Sequence, residues 1–189
     1  VDTSIRSVAF YYKRDQPLAS QTDEVDIGNA ASEADHGYTY TGLAWSGYLT
    51  DEYEGDQDDI FVSDDGRRFN AFAGSRSSFS AAIDPCNVGV LLRRRMDYIL
   101  PRQEAEVFID GVAAGLWYDA GSNPVHRFRD SEFLISSALT RGKSRVTLDI
   151  RHVSSAAGWT EYRYWVHTLA PTVPSDLLDL SHFQACFSG

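Results

Sequence analysis

The chain has 189 residues, with 17 Lys and Arg against 27 Asp and Glu, so its formal net charge is −10. Ten Tyr, ten Phe and four Trp stand against a single Met. This aromatic content excludes a disordered chain, and the acidic charge argues against nucleic acid as a partner. No apolar run approaches the roughly 20 residues of a membrane span, so we expect no membrane partner.

The pattern along the chain predicts an all-β fold, because apolar and polar residues alternate with a period of two and sustained helical periodicity is nearly absent. The predicted strands cover 4–12, 38–49, 68–83, 88–98, 105–118, 133–135, 145–150 and 159–169. In the fifth of these segments, Asp110-Gly111 predicts the tight turn of a hairpin. About nine strands without alternating helices predict one jelly-roll type β-sandwich domain over 1–189, with a C-terminal tail (171–189).

The segment 88–98 has the clearest alternation. Its even positions are mostly apolar and predict a core-facing side, whereas Arg93, Arg95 and Asp97 share the other side. Arg94 interrupts the apolar side. If Arg94 is buried, it must pair with a carboxylate, because an unpaired buried charge is costly.

The two cysteines, Cys86 and Cys186, give information on the cellular compartment of the protein. An even cysteine count in a Lys-poor chain rich in Tyr and Trp is typical of a secreted protein with one disulfide, and two unpaired thiols are the alternative. The chain begins at Val1, which fits either a removed leader or an internal start.

Four segments of the second half carry a family resemblance: NVGVLLRRRMD from Asn87, then AEVFIDGVAAGLWY, NPVHRFRDSEF and TRGKSRVTLDI. Their order resembles β-sandwich domains of secreted carbohydrate-active proteins, of the carbohydrate-binding-module kind. It is also faintly similar to the jelly-roll halves of glycoside hydrolase family 172 proteins. The resemblance covers residues 86–152 and implies a carbohydrate as the partner, an oligo- or polysaccharide, without assigning a catalytic residue.

Three groups of residues are candidates for sugar binding. Aromatic rings stack on sugar C–H groups, and Arg, Asp and Asn suit sugar hydroxyls. The candidates are Trp117, Tyr118 and Trp159 as stacking rings, Arg93, Arg95 and Asp97 on one strand, and Asn123, Arg127, Arg129 and Asp130 in a long loop. The alternatives are a structural core for the rings, a solvated sheet surface for the strand and an ordinary connection for the loop.

The acidic run 51–59 suggests an optional Ca²⁺ site at Asp56, Asp58 and Asp59, because Ca²⁺ prefers oxygen ligands. The run does not match an EF-hand, and a solvated acidic turn is the alternative. No cofactor is required by any motif.

The most enzyme-like cluster is Ser-Glu-Ala-Asp-His, with Glu33 and Asp35 as candidate catalytic carboxylates if the protein is an enzyme. On a strand, these two side chains would share a face. Glycosidases use such a carboxylate pair, and Glu132 and Glu161 are further candidates. The sequence contains no zinc spacing, nucleophile elbow or P-loop.

The sequence therefore predicts a secreted β-sandwich that recognises carbohydrate by aromatic stacking and by contacts of Arg, Asp and Asn with hydroxyls. A glycoside hydrolase is the first alternative, and a structural or assembly role is the second.

Overall fold

Short antiparallel strands dominate the computed structural model, which describes residues 18–42, 44–53, 60–70, 74–153 and 158–170. The strands in these ranges are β1 (Leu18–Asp26), β2 (Thr39–Thr41), β3 (Ala44–Ser46), β4 (Leu49–Tyr53), β5 (Ile60–Asp64), β6 (Arg67–Phe69), β7 (Arg76–Ala82), β8 (Gly89–Asp97), β9 (Gln103–Ile109), β10 (Val112–Asp119), β11 (Phe128–Ser136), β12 (Arg145–His152), β13 (Trp159–Glu161) and β14 (Arg163–Ala170). Two short helices accompany them, α1 (Ala30–Asp35) and α2 (Ser137–Thr140). Within the described ranges, no helix is both long and apolar enough to span a membrane.

Nine of these strands form two antiparallel sheets that pack face to face. One sheet has four strands in the order β1-β14-β8-β11, and the other has five in the order β10-β9-β12-β7-β2. Residues from both sheets share one core, in which the rings of Phe79 and Tyr164 lie 4.8 Å apart. The smaller groups β13-β6-β3 and β4-β5 complete the described fold. The prediction of an all-β sandwich of about nine strands is confirmed.

The strand β8 follows the predicted alternation. Val90, Leu92 and Met96 are buried on its inner side, while Arg93 and Arg95 are half-buried on its outer side. Asp97 departs from this pattern because it is fully buried at the end of the strand. The period of two therefore holds along the strand and fails at its last residue.

The predicted hairpin is also confirmed, with β9 and β10 paired around Asp110-Gly111. Both turn residues have positive φ, 50° at Asp110 and 82° at Gly111. Asp and Gly are among the residues that adopt this conformation most easily, which is why the dipeptide predicts a tight turn.

Arg94 is completely buried between the two sheets and has the carboxylate partner that the sequence requires. Its Nη2 donates to Asp119 Oδ2 at 2.7 Å, and its Nη1 donates to the Thr160 carbonyl at 3.0 Å. The guanidinium carbon lies 3.3 Å from the ring centroid of Trp159 and 5.2 Å from that of Trp117. Burial lowers the pKa of Arg94, and the Asp119 carboxylate opposes that shift.

His152 is buried at the inner side of β12, near the ring of Trp159 at 6.3 Å. Burial lowers its pKa from 6.5 to about 4, with a smaller contribution from the positive charge of Arg94. The folded protein therefore holds His152 neutral over a pH range in which an exposed histidine binds a proton.

Several predicted features lie outside the described residues. These are the first predicted strand (4–12), the tail (171–189) and Cys186. The disulfide between Cys86 and Cys186 consequently stays a prediction.

We predict that Asp119→Leu destabilises the protein by about 3–5 kcal/mol, because the substitution leaves the charge of Arg94 buried and unpaired. The double variant Arg94→Met/Asp119→Leu should recover most of this loss. Urea denaturation followed by circular dichroism measures both changes. Asp130→Leu is the matched control, because Asp130 pairs with Arg95 at the surface and such pairs contribute less than about 1 kcal/mol. Equal losses for Asp119→Leu and Asp130→Leu would contradict the prediction.

We predict that the free energy of unfolding falls as the pH is lowered from about 6.5 to about 4. In that window the unfolded chain binds a proton at His152 that the folded protein excludes, which removes about 3 kcal/mol of stability. His152→Gln cannot take up this proton, so its unfolding free energy should depend less steeply on pH. Denaturant titrations across this window measure the two slopes, and identical slopes would show that His152 does not contribute.

Candidate functional site

The outward surface of the five-stranded sheet brings polar and aromatic side chains together from all five strands, and we call it the five-strand face. Strand pairing aligns these side chains in two cross-strand rows. The rows are Thr41, Arg76, Arg151, Glu106 and Leu116, and beside them Thr39, Ser78, Asp149 and Phe108. Tyr118 and Glu104 lie opposite each other beyond the first row.

An open pocket of about 210 Å³ lies on this face near the edge strand β2. Its polar lining consists of Thr39, Thr41, Arg76, Ser78 and Asp149. The side chain of Arg76 is 53% exposed, and its Nη1 lies 4.0 Å from Asp149 Oδ2. Three hydroxyls, one carboxylate and one accessible guanidinium therefore meet in one pocket, which is a set that both donates and accepts hydrogen bonds.

Tyr40 also lines the pocket but does not present its ring to the five-strand face. Alternation along β2 turns Tyr40 away from Thr39 and Thr41. Its ring instead contacts Phe69, with the two centroids 5.9 Å apart, and the guanidinium of Arg67 lies 5.6 Å from its centroid. The aromatic contribution to the five-strand face must therefore come from the other strands.

Asp149 and Arg151 form a fixed pair beside the pocket. Asp149 Oδ2 accepts hydrogen bonds from Arg151 Nε at 3.0 Å and from Nη2 at 2.8 Å. The guanidinium of Arg151 lies 3.7 Å from the ring centroid of Phe108. Asp149 Oδ1 is buried and has no hydrogen-bond partner among the described residues.

Tyr118 and Leu116 are the exposed apolar groups at the opposite edge of the face, at 50% and 52% exposure. Their orientation depends on a β-bulge between Ala113 and Gly115, where β10 contains one residue more than β9. Gly115 has a φ of 147°, which a side chain rarely adopts. Without the bulge, strict alternation from the hairpin turn would point Trp117 outward and Tyr118 inward.

Trp117 and Trp159 correct the expectation that they are stacking rings. Trp117 is 2% exposed and Trp159 is 1% exposed, because both rings pack against Arg94 in the core. Their indole N–H groups donate to Ser131 Oγ at 2.8 Å and to Glu161 Oε1 at 2.9 Å. The alternative of a structural core is the correct interpretation for these two rings.

The candidates Arg93, Arg95 and Asp130 lie on the other side of the sandwich. They project from the outer surface of the four-stranded sheet, where Arg93 pairs with Glu132 at 2.6 Å and Arg95 with Asp130 at 3.1 Å. The outer surfaces of two packed sheets face away from each other, so these residues cannot join Tyr118 in one site. The expectation that the strand arginines and the aromatic candidates form a single binding site is therefore wrong.

The remaining loop candidates make local contacts at one end of the sandwich. Asn123 Oδ1 accepts from the amides of Val125 and His126, which is a turn-stabilising arrangement. The guanidinium of Arg129 lies 4.3 Å from the ring centroid of Tyr98.

Asp97 forms the centre of a charged cluster at the same end. Arg127 donates to both Asp97 oxygens, and Arg68 donates to Oδ2. Asp97 is fully buried, so it cannot share an accessible strand surface with Arg93 and Arg95 as expected. Burial and the charge of Asp97 raise the pKa of the neighbouring Tyr162 to about 12.

The candidate catalytic residues Glu33 and Asp35 lie on α1 rather than on a strand. Glu33 accepts from the Gly28 amide and pairs with Arg67 at 2.8 Å, while Asp35 is exposed. Residues two apart on a helix point in different directions, so the two carboxylates do not share a face. This arrangement corrects the expectation drawn from a strand.

Glu161 is enclosed in the core and accepts hydrogen bonds from Tyr38, Ser77 and Trp159. Burial raises the pKa of its carboxyl group, a property shared with catalytic acids. Because Glu161 is fully buried, no substrate reaches it in this structure.

The proposed Ca²⁺ ligands Asp56, Asp58 and Asp59 lie outside the described residues. In the described ranges no group of three His, Cys, Asp or Glu side chains is arranged to hold a metal ion. The Ca²⁺ site therefore stays a prediction.

Sequence reasoning did not identify Arg76, Asp149 or Thr39 as a group, because they come from three strands distant in the chain. Alternation places Thr147, Asp149 and Arg151 on one side of β12. The sequence contains no signal for the pairing of Asp149 with Ser78 and of Ser78 with Thr39.

Solved structures of other proteins have the same fold as this chain. A family 35 carbohydrate-binding module from Paenibacillus barcinonensis superposes with a TM-score of 0.54 and 14% identity, covering 76% of this chain and 97% of the module. The chain therefore shares its fold with this carbohydrate-binding module. A second such module, from an environmental isolate, has a TM-score of 0.50 and 10% identity, covering 80% of this chain and 99% of the module. The predicted resemblance is thus confirmed for the fold. No protein-family model and no curated protein matches the sequence.

Proposed function

We propose that this β-sandwich binds carbohydrate through the five-strand face. The observation that carries the proposal is the pocket in which Arg76, Asp149 and three hydroxyls meet. A sugar hydroxyl both donates and accepts hydrogen bonds, so it can donate to the carboxylate and accept from the guanidinium. Ser78 Oγ already donates to the Leu148 carbonyl, which leaves its oxygen free to accept from a ligand.

The shared fold supports the same class of ligand. The two solved modules described above are carbohydrate-binding modules, although a fold alone does not fix a function. Tyr118, which the sequence analysis singled out, belongs to the proposed site because its half-exposed ring lies on the same face as the pocket. Its stacking partner would be the C–H surface of a sugar ring.

The proposal keeps three further expectations from the sequence. These are secretion, a disulfide between Cys86 and Cys186, and an optional Ca²⁺ ion at the acidic segment. The polar groups of the pocket need no metal to bind hydroxyls, so we propose binding that is independent of Ca²⁺.

We predict that Arg76→Met weakens carbohydrate binding by about tenfold, because it removes charge-assisted hydrogen bonds to hydroxyls. Affinity electrophoresis in gels that contain xylan, glucomannan, β-glucan or galactan measures retention of the protein. Thr39→Val/Thr41→Val removes two hydroxyls at nearly constant shape and should also reduce retention.

Arg93→Met is the matched control, because it removes an arginine from the outer surface of the opposite sheet. We expect it to bind like the unsubstituted protein. If Arg93→Met lost binding while Arg76→Met retained it, the site would lie on the four-stranded sheet instead. Failure of the unsubstituted protein to bind any of these polysaccharides would contradict the proposed function.

A further inference from the structure

We infer that the ligand is a linear, uncharged oligosaccharide that lies across the strands of the five-strand face, from the pocket to Tyr118. This inference rests on the proposed function and adds the size, direction and charge of the ligand. It is carried by three observations: the spacing of the strands, the surface between the two ends and the distribution of charge.

The distance between the two ends exceeds the length of one sugar ring. Arg76 lies on β7 and Tyr118 on β10, and the strands β12 and β9 separate them. Three interstrand steps of about 4.8 Å give roughly 14 Å. A monosaccharide in the pocket therefore cannot touch Tyr118, whereas a chain of several linked rings spans both.

The surface between the two ends offers contacts along the whole path. Arg151 is the middle of the path, with its guanidinium stacked on Phe108 and its side chain 40% exposed. Glu106 is next to Arg151 on β9, and Leu116 is next to Glu106 on β10. The path thus offers hydrogen-bonding groups from the pocket to Glu106 and apolar groups at Leu116 and Tyr118, and a sugar chain presents both hydroxyls and C–H surfaces to such groups.

The charges on this path disfavour an anionic chain. Glu104 is paired with Tyr118 and Glu106 with Leu116 in the register of β9 and β10, so two carboxylates accompany the apolar end. Asp149 neutralises Arg151 through two hydrogen bonds. Like charges repel, and the net charge of −10 adds to this repulsion. Chains that carry uronate or sulfate groups should therefore bind more weakly than neutral chains.

The test is isothermal titration calorimetry with xylo-, cello- and manno-oligosaccharides, each from the monosaccharide to the hexasaccharide. For at least one series, affinity should increase by about tenfold or more between the disaccharide and the longest chains. Oligogalacturonate of matched length is the anionic probe and should bind at least about tenfold more weakly. An affinity that does not depend on length, or an equal affinity for oligogalacturonate, would overturn the inference.

Tyr118→Ala separates the inference from the proposed function. It should lower the affinity for the hexasaccharide by about tenfold and leave the affinity for the disaccharide within about twofold. Tyr48→Ala is the matched control, because Tyr48 is even more exposed but lies next to β4, outside the five-stranded sheet. Arg76→Met should weaken binding of both lengths.

The results of these experiments distinguish failure of the extended path from failure of the proposed function. If Arg76→Met weakens binding and Tyr118→Ala does not change it at any length, the pocket binds carbohydrate and the extended path is wrong. If none of the three series binds, the inference is wrong; if the unsubstituted protein is also not retained by any of the four polysaccharides named above, the proposed function is wrong as well. Loss of hexasaccharide binding in Tyr118→Ala, with circular dichroism spectra unchanged, supports the extended path.

Discussion

The buried charge of Arg94 is the constraint on which the arrangement of this sandwich depends. A guanidinium on the inner side of β8 needs a carboxylate and polarisable neighbours, and Asp119, Trp117 and Trp159 provide them. The side chains of Trp117 and Trp159 are consequently buried in the core. Of the three aromatic candidates from the sequence, Tyr118 is therefore the one whose ring is exposed, and the proposed stacking on a sugar is assigned to it.

The same interaction joins the two sheets. Arg94 belongs to the four-stranded sheet, and Asp119 ends β10 of the five-stranded sheet. Ser131 on β11 also donates to Asp119, at 2.6 Å. The edge strand that carries Tyr118 is thus anchored at its end to the opposite sheet. A rigid strand of this kind is a suitable support for a binding residue, because little conformational entropy is lost when a ligand is bound.

Local patterns in the sequence predicted the elements that depend on neighbouring residues. The alternation in β8, the hairpin turn at Asp110-Gly111 and the need of Arg94 for a carboxylate are of this kind. The candidate site depends instead on contacts between strands far apart in the chain. Nothing in the sequence specifies that Arg76 faces Arg151 or that Thr39 is opposite Ser78, because register follows from the packing of the whole sheet. The placement of Glu33 on a strand failed for a different reason. The helix that begins after the Asn29 N-cap is too short to have a recognisable periodicity in the sequence.

The bulge in β10 makes the chemistry of a surface depend on the number of residues in a strand. The bulge accommodates one additional residue between Ala113 and Gly115, so that beyond it Tyr118 faces solvent and Trp117 faces the core. Loss of the extra residue Ala114 would leave the register unchanged, whereas one more residue at this point would exchange the two faces. In this hairpin, an insertion would therefore alter the exposed surface more abruptly than a substitution does, because it changes several exposed side chains at once.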